Sequence, residues 1–134
     1  MSNQVVARYQ DGRVVKGISL DVDPVKPTCH VRPPGGATTE VKLAELKALC
    51  FVKTLEGNSA HHESGEFEAG DRRTKGSTTV ELRFLDGERL VAFTNRYPPN
   101  RTFFFVVPVD LESNNIRILV NSKALLSIEP VAAS

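Results

Sequence analysis

The sequence has no tryptophan, one methionine and only two cysteines, Cys29 and Cys50. The cysteines make no CxxC pair, so neither a zinc knuckle nor a dithiol redox motif has its ligands. Both are expected as reduced core residues, the usual place of a free cysteine. Long apolar runs are also missing. No stretch approaches the roughly 18 residues of a membrane-spanning helix, and Met1-Ser2-Asn3-Gln4 lacks the basic and apolar regions of a signal peptide, so a cytoplasmic protein is expected. Charge of one sign is absent too. Seventeen Lys and Arg stand against 16 Asp and Glu, a net +1, without the dense basic stripe of a protein that grips nucleic acid mainly by its phosphates. What remains is 40% hydrophobic and 25% charged residues over 134 positions, a composition that buries a core and is not that of a disordered tail.

The strongest local signal occurs twice. Arg8-Tyr9-Gln10-Asp11-Gly12 and Arg83-Phe84-Leu85-Asp86-Gly87 each set an Asp-Gly pair between apolar runs, the pattern of a tight hairpin. Val5–Gln10, Arg13–Val22, Thr28–Arg32, Glu40–Leu43 and Ala48–Thr54 read as five strands, with a single helical turn at Ala44–Lys47. Gly17 inside the second strand predicts a bend or a close backbone approach. Pro33-Pro34-Gly35-Gly36 breaks the third strand, and without a following Lys-Ser/Thr and helix it is not a phosphate loop. The last strand is nearly all apolar, which predicts cover on both faces.

From Thr79 the pattern restarts. Aligned without gaps, Val5–Pro33 and Val80–Pro108 share seven identities in 29 positions, and a one-residue insertion brings Lys47-Ala48-Leu49 onto Lys123-Ala124-Leu125. This is an internal duplication. Residues 1–55 and 78–134 are expected to form two tandem five-stranded barrels, all-β, each with one helical turn. The polar segment 56–77, whose apolar anchor is Phe67, is expected as a flexible linker.

Gly12-Arg13-Val14-Val15-Lys16-Gly17 with Val22-Asp23 resembles the first signature of the Sm-like, SH3-like barrel fold, and Val120-Asn121-Ser122 through Ile128-Glu129 is similar to its second. The resemblance implies small antiparallel barrels and, for Sm-like proteins, RNA binding. The base-binding residues of that fold are replaced here, by Pro27 and Thr102 in the loops and by Ala44-Glu45 and Leu119-Val120 near the second signature. Leu46–Lys53, Phe103–Asp110 and Asn114-Asn115-Ile116-Arg117 resemble an uncharacterised bacterial duplicated-barrel domain that accompanies receiver and PilZ signalling domains. That likeness implies a regulatory module. The PilZ second-messenger signature itself is absent, and Asp71-Arg72-Arg73-Thr74-Lys75-Gly76 resembles its basic half only faintly.

Candidate chemistry is sparse. His61-His62-Glu63 with Glu66 offers metal-ligand types but no third ligand at helical or hairpin spacing, so no metal is expected. His30 is a lone strand histidine. Asp21 with Asp23, and Glu66 with Glu68, have no apolar neighbours to raise a pKa. No serine or cysteine sits in a nucleophile motif, so a non-catalytic protein without cofactor is expected. The best candidate is basic and polar. Arg72, Arg73 and Lys75 in the connecting segment, with Arg96, Tyr97, Asn100 and Arg101 in the second-half loop, are expected to converge on an anionic partner. Tyr97 would supply a stacking face. In Phe103-Phe104-Phe105 at least one ring must leave its own core, toward the other half or a partner. These features predict a binding or adaptor module for a protein partner, with RNA or nucleotide as the alternative and with self-association through strand edges open.

Overall fold

The computed structural model describes residues 3–57, 60–67 and 70–132. The described residues form ten strands: β1 (Asn3–Tyr9), β2 (Val14–Ser19), β3 (Thr28–Val31), β4 (Thr39–Lys42), β5 (Leu46–Val52), β6 (Thr78–Phe84), β7 (Arg89–Thr94), β8 (Phe103–Pro108), β9 (Asn115–Asn121) and β10 (Leu125–Pro130). Single 3-10 turns at Leu43–Glu45 and Ser122–Ala124 lead into β5 and β10. Among the described residues no helix is long and apolar enough to cross a membrane.

Both Asp-Gly turns fold the same way. Gly12 and Gly87 each have φ +94°, a left-handed conformation that glycine enters without a Cβ penalty. Their amides bond back to Tyr9 O at 3.1 Å and Phe84 O at 2.9 Å. The aspartate closes each turn by accepting from the amide two residues on, Arg13 N to Asp11 Oδ1 and Glu88 N to Asp86 Oδ1, both 3.0 Å. Gly17 serves a different need. A Cβ there would lie 2.3 Å from Arg32 O, because β2 crosses the end of β3 through paired bonds between Ile18 and Arg32.

Strand order repeats between halves. β1 pairs with β2 and β5, and β3 with β4, while β6 pairs with β7 and β10, and β8 with β7 and β9. Two closed five-stranded barrels are not what results. Eight strands run β10-β6-β7-β8-β9-β5-β1-β2 in one sheet, the β3–β4 hairpin forms a second, and no barrel closes among the described residues. The cause lies in β5. All seven of its residues are buried, and its free edge takes β9 as partner, setting Leu49 opposite Leu119 and Cys50 opposite Ile118. An edge that barrel closure would have hidden within one half is used to join the two.

The joining strands serve two cores by alternation. Leu49, Phe51 and Leu119 enter one with Val5, Ala7 and Tyr9. Ala48, Cys50, Val52, Ile118 and Val120 enter the other with Val80, Leu82 and Phe84. Phe103 and Phe105 pack against the first core and Phe104 against the second, so the aromatic run stitches the halves together. Both cysteines are buried and unpaired.

The repeat also aligns differently beyond the first hairpins. Gln10 N bonds Glu45 O and Leu85 N bonds Ala124 O, which makes Leu46 equivalent to Leu125 and Lys47 equivalent to Leu126, not to Lys123. Both occupy the residue skipped where the pairing shifts register. Shared Lys-Ala-Leu letters misled because the bulge, not the identity, fixes the equivalence. The described part of 56–77 lies on the second half: Phe67 meets Phe93 edge-on at 5.7 Å, and the Arg72–Thr74 turn is capped by Asp71.

Candidate ligand clefts and the junction between the halves

The β7–β8 loop follows Thr94, whose Oγ1 lies 3.4 Å from Arg96 O, and returns at Phe103. Between them opens a cleft of about 240 Å³ lined by Arg96, Asn100 and Arg101 on its rim, Phe103, Phe104 and Phe105, and Pro24 from the first half. No carboxylate among the described residues pairs with Arg96 or Arg101, and both are exposed. Two guanidinium groups without partners beside aromatic surface can take an anion by bidentate hydrogen bonds while an apolar group contacts the rings.

The other expected members of this cluster lie elsewhere. Tyr97 turns away, its hydroxyl 3.4 Å from Ile128 O on β10. Arg73 is committed to structure: it pairs with Asp71 at 2.7 Å, donates to Pro108 O and Val109 O, and lies 4.6 Å over the Phe93 ring. Arg72 and Lys75 flank that anchor, exposed, and do not line the cleft. Of the seven expected residues, Arg96, Asn100 and Arg101 converge.

The first half has a cleft at the same place in its repeat, about 380 Å³, lined by Leu20, Asp21, His30, Arg32 and neighbours. Leu20, Asp21 and His30 stand where Asn95, Arg96 and Phe105 stand in the second half. Its acid is paired, and Arg32 beside it is exposed with no carboxylate partner among the described residues. Asp21 accepts from the His30 amide at 2.8 Å and faces Nδ1 at 2.6 Å. The hydrogen bond to His30 holds the Asp21 carboxyl below its ordinary value, and the same contact raises His30. One duplicated cleft thus carries a closed acid–imidazole pair beside one open arginine, Arg32, and the other carries two open arginines and no acid.

Sequence reasoning missed the junction network. Lys47, with its side chain 7% exposed, reaches Asp86 Oδ2 at 2.6 Å and also pairs with Glu88, while Arg8 pairs with Glu88 at 3.1 Å. The ammonium lies 4.6 Å over the Phe84 ring. Lys47 draws the Asp86 carboxyl down. Burial pushes Glu88 up, but Lys47 and Arg8 outweigh it and leave it below its ordinary value. The signal was a lysine inside an otherwise apolar strand, which cannot be buried without a partner. Neither cysteine is a nucleophile in waiting. Burial pushes both thiols up to about 11, far from the thiolate form.

A third cluster joins the connecting segment to the loop after β8. His61 Nε2 lies 2.7 Å from Asp110 Oδ2, which also accepts from Ser64 N at 2.8 Å, and Asp110 Oδ1 accepts from Glu112 N at 2.9 Å. With Glu63 these groups place three ligand atoms within 4.8 Å of one another. Asp110, 49 positions from His61, is the third ligand type that spacing alone did not provide, and His62 and Glu66 are not part of the group.

Fold and clefts together define an internally duplicated all-β protein whose equivalent loops carry opposite charge. The chain belongs to DUF6982, a family of unknown function, whose sequence model matches residues 1–132. No curated protein and no solved structure matches it.

Proposed function

We propose that this protein is a non-catalytic binding module of bacterial regulation or signalling, working in the cytoplasm, and that its ligand face is the β7–β8 cleft. The observation that carries this is the pair Arg96 and Arg101, open beside Phe103–Phe105 while the equivalent acid in the first half is closed by His30. The preferred ligand is a segment of a protein partner that offers a carboxylate next to an aromatic or aliphatic side chain. The repeated strand order supports reading the architecture as two Sm/SH3-like five-stranded units, opened and joined at β5 and β9, so that the binding loop of one unit is backed by the other.

A second reading, single-stranded RNA or nucleotide, is favoured by the aromatic floor, since bases stack on such rings. The near-neutral net charge speaks against an extended phosphate track. Fluorescence anisotropy separates them. A labelled peptide rich in Glu and Phe is expected to bind, with loss on Arg96→Ala or Arg101→Ala and modest dependence on salt. A labelled oligouridine that binds more tightly, with affinity falling steeply as salt rises, would replace the peptide reading with the RNA one.

A further inference from the structure

We propose that His61, Glu63 and Asp110 form a binding site for a divalent transition metal ion of the Zn²⁺ class. Their ligand atoms already lie within 4.8 Å of one another, and Glu63 is the exposed member of the set. Asp110 is preset. Its side chain is 6% exposed, and the amides of Ser64 and Glu112 each hold one of its oxygens, the outer support that orients a metal-binding carboxylate.

The donor set decides the ion. An imidazole with two carboxylates suits Zn²⁺ and its neighbours, whereas Ca²⁺ and Mg²⁺ take oxygen sets. Charge decides that a cation belongs there. Two carboxylates converge on one imidazole, and no lysine or arginine among the described residues pairs with Glu63 or Asp110. His61 alone satisfies one carboxylate; the second is left facing like charge, a cost that a bound cation removes. Three protein ligands leave a position open, and Asp110 also lines a cavity of about 370 Å³ with Ser64, Phe67 and Arg73. A bound ion would clasp the connecting segment onto the end of β8.

The test is calorimetric titration of the EDTA-stripped full chain with ZnCl₂. A single saturable site is expected, weakened at least about tenfold by Glu63→Gln and abolished by His61→Ala. Among the described residues Glu63 makes no hydrogen bond or ion pair, so its substitution reads binding with little effect on the fold. His62→Ala is expected to bind as the parent does. Absence of a saturable site, parental affinity in Glu63→Gln, or equal loss from His61→Ala and His62→Ala would overturn the assignment.

Discussion

Replacing Lys47 with methionine tests how the halves are held together. Methionine keeps most of the apolar stem against Phe84 but removes the charge that Asp86 and Glu88 share. Breaking a fully buried ion pair costs 3–5 kcal/mol. Here the lysine is buried while the carboxylates are 54% and 42% exposed, so water recovers part of the loss and about 2 kcal/mol is expected at pH 7. The pH dependence identifies the cause. Asp86 and Glu88 both sit below their ordinary values of 3.8 and 4.5 in the folded protein. Their contribution is therefore complete above those values and is lost as pH falls through the lower folded ones. Urea denaturation of parent and variant at pH 7 and at pH 3 reads this directly: the gap should be widest at neutral pH and shrink in acid. A gap of equal size at both values would show that Lys47 acts by packing alone and refute the charge account.

Two further pairs of substitutions separate the roles of glycine and arginine. Gly17→Ala drives a Cβ into Arg32 O, and overpacking against backbone costs about 3 kcal/mol, whereas Gly12→Asn meets nothing within 4 Å and costs only the strain of its positive φ, about 1 kcal/mol; thermal melts should show this order. Arg73→Ala removes the bonds to Pro108 and Val109 and should cost about 2 kcal/mol of stability without weakening ligand binding. Arg101→Ala should do the reverse, and a loss of binding from both would merge the two groups into one site.

Local chemistry made the strands legible and long-range pairing made the rest opaque. Asp-Gly turns, the paired prolines and the alternation of Val5, Ala7 and Tyr9 each act within a few residues, and the structure follows them. The run Ala48–Thr54 announced a strand covered on both faces, which the structure starts two residues earlier, at Leu46, but nothing in it says that the cover is β9 of the other half in place of its own closed barrel. Arg73, Arg96 and Arg101 look alike in sequence. Only the fold distinguishes the arginine that spends its donors on Pro108, Val109 and Asp71 from the two that keep them. Asp110 similarly gained a metal-ligand reading once the connecting segment brought His61 to it.

The central claim is that ligand enters the cleft of Arg96 and Arg101 and not its first-half counterpart, where Asp21 is closed by His30. Backbone amide shifts recorded while the Glu- and Phe-rich peptide is titrated into the isotopically labelled chain test it residue by residue. Saturable changes should concentrate on 94–105 and on the neighbouring first-half loop around Pro24, with Ile18, His30 and Arg32 unmoved. Changes centred on the Asp21–His30 cleft, or spread without saturation over the surface, would contradict the account.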